Sequence, residues 1–190
     1  MNNMLLIIIL LFVSMNVFAE NEFPSEYMGV TLLETNFAEV TQKYGPSTVF
    51  DIPDGHHDKG VCYRNENVHV VFSTGPMGGN VLLSGISISV VKPKYPCTAI
   101  KIEVPNCFGR LCLKKTREEF ESIAGEVFIK TTKGDSYVSA QEYQRPMSKA
   151  ELERSSYASE HPYFDVTHTL WYKESSSIIN AFGFYKYETN

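Results

Sequence analysis

Two imidazoles and two carboxylates crowd one short stretch, Asp54-Gly55-His56-His57-Asp58. Histidine nitrogens and carboxylate oxygens are ligand types for zinc and other divalent ions, so His56, His57, Asp54 and Asp58 are candidate metal ligands. Adjacent histidines on an extended strand point apart, and only a tight loop lets both converge on one ion. No further Cys or His stands at recognisable ligand spacing, which favours a solvated hairpin turn over a metal centre. The glycine-rich Thr74-Gly75-Pro76-Met77-Gly78-Gly79-Asn80 lacks the Lys-Ser/Thr of a phosphate cradle and does not open a helix. A hairpin connection needing positive φ accounts for its glycines.

His168 falls on a predicted strand face with Val166 and Leu170, and Asp165 and Glu160 are close in sequence. Those residues could supply parts of a hydrolytic triad, but no Gly-x-Ser-x-Gly nucleophile elbow is present. A single histidine on an apolar face is usually a hydrogen-bonded core residue, and His69 at a comparable strand position favours that role. The expectation is a protein without catalytic residues and without a cofactor. Aromatic residues offer a different chemistry. Tyr185 and Tyr187 share one face of the closing strand, and Trp171 on the neighbouring strand faces away from the Val166, His168, Leu170 set. The corresponding places in the first half carry Ser87 and Ser89. Trp and Tyr are enriched at binding hot spots, so Trp171, Tyr185 and Tyr187 form the candidate partner-binding set if their face is open. If an added helix packs over them, they are core.

The four cysteines, Cys62, Cys97, Cys107 and Cys112, read as two disulfides in an exported chain. Three pairings are possible; the preferred one joins Cys62 to Cys97, tying a strand to its exit loop, and Cys107 to Cys112, stapling the approach to a second helix. No Cys-x-x-Cys redox spacing occurs.

The elements that would position these residues come in two similar series. Gly29 to Gly45, GVTLLETNFAEVTQKYG, returns as Gly109 to Gly125, GRLCLKKTREEFESIAG, with Leu33 over Leu113, Asn36 over Thr116 and Glu39 over Glu119. Asn36 and Thr116 are N-caps, and each glutamate completes a capping box. The predicted helices run from about Phe37 to Tyr44 and from about Arg117 to Ala124. Strands are expected at Thr48 to Asp51, Gly60 to Arg64, Val68 to Ser73 and Leu82 to Val91, then at Val127 to Thr131, Ser136 to Gln144, Phe164 to Tyr172 and Ile178 to Tyr187. Ser148-Lys149-Ala150-Glu151 opens a polar helical insertion, 148–158, without a counterpart in the first half. The expected fold is α+β, with two tandem modules, 20–96 and 97–190, each a short helix packed on a four-stranded antiparallel meander.

Met4 to Val13, MLLIIILLFV, followed by Val17-Phe18-Ala19, has the length and small-residue cleavage pattern of a signal peptide spanning 1–19. A periplasmic or secreted protein with no stable membrane anchor after cleavage is expected. The formal charge of −5 makes nucleic acid and anionic headgroups poor partners.

Gly29, Thr31, Asn36, Glu39, Val40, Gly45 and Pro46 match a pattern that resembles the repeat of the BamE (SmpA/OmlA) family and of beta-lactamase inhibitory protein, the latter a tandem pair of such units. The second copy keeps Gly109, Thr116, Glu119, Phe120 and Gly125 but has Glu126 where the proline would stand. The chain is also similar to uncharacterised exported bacterial proteins sharing the VCYR, GPMGG and PYFDVT segments. The resemblance implies a non-enzymatic exported protein that acts by contact with another protein, inhibitor-like or as an envelope-assembly accessory. The absence of a lipidation cysteine near the cleavage point departs from BamE. A metal-binding protein or metal-dependent enzyme using His56 and His57 is the alternative from a different class.

Overall fold

The computed structural model describes residues 26–52, 58–75, 81–132, 136–156 and 160–189. The expected signal segment therefore lies outside the described residues. A small antiparallel hairpin, β1 (Glu26–Tyr27) with β2 (Val30–Thr31), precedes α1 (Phe37–Tyr44). Asn36 and Glu39 close a reciprocal capping box at its start. Then come β3 (Phe50–Asp51), β4 (Lys59–Asn65), β5 (Val68–Thr74), β6 (Leu83–Ser89) and the short β7 (Thr98–Ala99). A second hairpin, β8 (Cys107–Phe108) with β9 (Leu111–Cys112), precedes α2 (Arg117–Ala124), again boxed by Thr116 and Glu119. The chain ends with β10 (Ile129–Lys130), β11 (Ser136–Pro146), α3 (Lys149–Arg154), β12 (Tyr163–Ser175) and β13 (Ile178–Thr189).

The expectation of two modules, each with its own four-stranded sheet, is overturned. One nine-stranded sheet runs β10-β11-β12-β13-β6-β5-β4-β3, with β7 alongside β4, so the fold is predominantly β. The joint is the antiparallel pairing of β13 with β6, from Ala181 opposite Ser89 to Tyr185 opposite Gly85. Each of these strands would otherwise expose a full row of unpaired N–H and C=O groups at a sheet edge. Pairing them satisfies both rows and makes their apolar faces continuous: Ile86 and Ile88 lie beside Phe184 and Phe182, all at most 2% exposed. The sheet is antiparallel throughout except for β7, which runs parallel to β4.

Hydrophobic alternation assigns the core to one face of this sheet. Tyr63, Phe72, Leu170, Tyr172, Phe182 and Phe184 point to the same side as Val40 and Tyr44 of α1 and Phe120 and Ala124 of α2. Ring contacts fix the two helices there: Tyr44 lies 6.1 Å from Phe72, and Phe120 lies 5.2 Å from Phe182 and 5.3 Å from Tyr172. The hairpins cover the middle of the same face, where Tyr27 stacks on Phe108 and Phe108 meets Phe184. The match of Leu33 with Leu113 is also corrected. Leu32 and Leu113 are the buried pair, each 3% exposed, while Leu33 and Lys114 share positive φ of 63° and 66°. The second series is therefore one residue shorter between its hairpin and its N-cap.

The added helix, α3, contributes no buried residue. It is held by Arg145, which donates to Glu151 of α3 at 2.8 Å and to Glu188 of β13 at 2.5 Å. Arg145 lies on the helix-bearing face of β11, two strands from β13, so α3 does not lie over the opposite face where Trp171, Tyr185 and Tyr187 point. Hydrogen bonds from Arg145, and then those involving Ser148, pull the Glu151 carboxyl down to about 2.

Candidate binding surface

Among the described residues the opposite face carries no helix, and its cross-strand rows are built largely of small residues. One row reads Cys62, Val71, Ser87, Gly183, Trp171 and Val138 from β4 to β11. The next towards the β11 start reads Arg64, His69, Ser89, Ala181, Lys173 and Ser136, and on the other side stand Ser73, Gly85, Tyr185 and Thr169. Small residues in the middle of three adjacent rows leave a trough, and larger ones bank it. Its volume is about 440 Å³.

Each of the sequence-predicted aromatic residues is on this face, and each ring is half-buried. Glycine explains how they lie. Trp171 sits directly opposite Gly183, where a Cβ would come within 2.8 Å of the indole Nε1; Tyr185 sits opposite Gly85, and an added Cβ there would strike its ring. Tyr187 covers Gly75 in the same way, with 2.8 Å to its ring, and stacks on Tyr185 at 6.0 Å with an interplanar angle of 2°. The rings thus lie down on bare backbone instead of standing off the sheet, as cross-strand aromatic-glycine pairs do. Trp171 and Tyr185 line the trough, whereas Tyr187 stands beyond it over Gly75. The Trp171 Nε1–H is buried and has no hydrogen-bond acceptor among the described residues.

The trough has a wall in Lys92-Pro93-Lys94-Tyr95-Pro96-Cys97, a stretch whose prolines mark it in the sequence as a linker. Val91, Lys92, Pro93, Lys94 and Tyr95, with Ile52, close it on the β4 side. This strap is held in part by the Tyr95 ring, which stacks on Phe50 at 4.2 Å, and by Cys97, which is disulfide-bonded to Cys62 on the trough-facing side of β4. The preferred pairing is thus the one present, with Cys107 bonded to Cys112 across the β8–β9 hairpin. A Cys62–Cys97 bond obliges the chain leaving β6 to cross β5 and reach β4, so that pairing was the available signal for the wall. Two disulfides and no free cysteine among the described residues point to a location outside the cytoplasm. No described helix is long and apolar enough to cross a membrane.

The remaining candidate residues separate. Asp54, His56 and His57 lie outside the described residues, as do 76–80 of the glycine-rich segment. Asp58 is 4% exposed at the start of β4, where its carbonyl accepts from the Ile52 N–H at 2.8 Å. Among the described residues no group of three or more potential ligands converges. His69 and His168, paired in the sequence argument, are on opposite faces. His69 is on the trough floor, its Nδ1 3.4 Å from the Ser89 carbonyl. His168 is on the helix-bearing face, its Nε2 3.4 Å from the Tyr143 hydroxyl and its neighbours Lys186 and Glu188 on β13.

Burial, and secondarily Lys186, pushes the His168 imidazolium down to about 4 against the smaller opposing effect of Glu188. A depressed histidine has a definite linkage sign. Between its ordinary value of 6.5 and about 4 the unfolded chain binds the proton and the folded chain does not, so stability falls as pH drops through that window. His168→Phe is expected to flatten the dependence of unfolding free energy on pH over that interval, measured by denaturant titration at several pH values. An unchanged slope would show that His168 is not responsible.

Compared with known protein families, curated proteins and solved structures, the chain matches none of them.

Proposed function

We propose that this is a non-catalytic exported protein, periplasmic or secreted, that binds another protein with the helix-free face of its sheet. The observation that carries this reading is the trough of about 440 Å³ banked by Trp171 and Tyr185 on a face that no described element covers. Aromatic side chains flat on a rigid sheet offer apolar area at low entropic cost, since glycine backbone already limits how they move. The strap from Val91 to Tyr95 adds a second side to the contact and gives the surface the concavity that one flat sheet lacks.

Trp171→Ala and Tyr185→Ala are expected to leave the fold in place, because both rings are on the surface opposite the main core. Each should weaken capture of the partner from an envelope extract by about thirtyfold or more, the range of a binding hot spot. Far-ultraviolet circular dichroism checks folding, and quantitative pull-down checks binding. Capture equal to that of the parent protein would reject this surface.

A further inference from the structure

The described lining of the trough carries one sign of charge. Among its described lining residues every charged side chain is a lysine, Lys92, Lys94 and Lys173, although the whole chain has 22 acidic against 17 basic residues. Lys92 and Lys94 are exposed on the strap and have no ion-pair partner among the described residues. Lys173 enters from the opposite bank, on β12 in the row next to Trp171. The Trp171 indole lies between the strap and Lys173, its Nε1–H turned against Gly183 and away from the open trough. Unpaired cations on the exposed strap ask for a guest with negative acceptors.

The floor restricts the kind of guest. It crosses β5, β6, β13 and β12, whose backbone groups are already paired with one another, so no strand can be added there by main-chain hydrogen bonds. Recognition must come from side chains reaching down between the strap and the aromatic bank. A flat membrane surface does not enter a walled depression, whereas a protruding segment does. On these grounds, and resting on the proposed binding role of this face, we infer that the occupant is an acidic loop or extended segment of the partner protein. Its carboxylates lie against Lys92 and Lys94, and its apolar positions rest on Tyr185 and Tyr95.

The protein holds a single tryptophan, so its fluorescence reports on the trough directly. The mature protein is titrated at low ionic strength with three synthetic peptides of one apolar framework, carrying glutamates, lysines or serines at the remaining positions. Heparin fragments and phosphatidylglycerol vesicles are run as further arms. The expected result is a saturable emission change with the glutamate peptide, at least tenfold tighter than with the serine peptide and absent with the lysine peptide. The Lys92→Glu/Lys94→Glu double variant should weaken it by about tenfold or more, and salt should weaken it further. Both lysines are exposed, so the variant is expected to fold, and circular dichroism verifies that. Equal response to the peptides whatever their charge overturns the inference while leaving the face as a protein-binding surface. Response to heparin or vesicles alone, or to none of the probes, overturns it as well. Failure of the binding face itself is read separately, from the Trp171→Ala and Tyr185→Ala captures.

Discussion

Phe120→Ala is expected to destabilise the protein by about 3–5 kcal/mol, the range for removing a fully buried aromatic side chain. Phe120 is 0% exposed and is the point at which α2 grips the sheet, touching Phe128, Tyr172 and Phe182 with ring centroids 5.2 to 6.3 Å away. Alanine leaves a void that three other aromatic rings cannot all collapse into, because Tyr172 and Phe182 are fixed by the β12–β13 ladder. Such a loss is a large share of the total stability of a domain, about 5–15 kcal/mol. Denaturant unfolding followed by circular dichroism and by Trp171 emission measures it. Because β6 and β13 join both halves in one sheet, Val40→Ala under α1 is also expected to shift both transitions together, although Trp171 is in the other half. Separate transitions in that variant would restore two independently folding units.

Loss of the Cys62–Cys97 bond ranks next. It closes a loop with a sequence separation of 35, and the entropic model assigns it about 4 kcal/mol, against about 2 kcal/mol for Cys107–Cys112 with its separation of 5. The double variant Cys62→Ala/Cys97→Ala is therefore expected to unfold at a markedly lower denaturant midpoint than Cys107→Ala/Cys112→Ala. The structural consequence is as specific as the energetic one. Without the bond the strap keeps the Phe50–Tyr95 stack and the short β7 pairing, but its anchor on the trough side of β4 is gone. Binding through the trough should then weaken even at temperatures where the variant is fully folded. If the two double variants lose equal stability and neither loses binding, the strap has no part in the surface.

Local chemistry made much of the chain readable, and its limits are those of local chemistry. Asn36 with Glu39 and Thr116 with Glu119 fixed where α1 and α2 begin, since a capping box needs only four consecutive residues. Period-two alternation put Trp171 on the face away from Val166, His168 and Leu170, and Tyr185 with Tyr187, as the pairing register shows. Alternation cannot name a partner strand. Leu82 to Val91 and Ile178 to Tyr187 each read as half-buried strands, and nothing in either told that they would pair with each other and turn two expected sheets into one. The same limit applied to His69 and His168. Each is buried, but register places one on each face, so their likeness in the sequence was not a likeness of surroundings.

The trough was half legible. Ser87 and Ser89 were noticed as small residues standing where the second half has tyrosines, yet their meaning depends on Gly183 and Ala181 lying directly opposite them. That row of small residues is a product of two strands about ninety positions apart, a relation visible only in the sheet. Lys92 to Tyr95 read as a linker because Pro93 and Pro96 mark irregular chain. Its role as a wall follows from a disulfide whose partner the sequence left among three pairings.

The central claim, that the helix-free face is where this protein meets its partner, is tested most directly by a photo-reactive residue placed at Lys94 on the strap or at Glu118 on α2, both exposed and on opposite sides of the sheet. Irradiated in cells and resolved by denaturing electrophoresis, the Lys94 position is predicted to give a discrete heteromeric adduct that Trp171→Ala abolishes, with none from Glu118. An adduct from Glu118 and none from Lys94 would contradict the account.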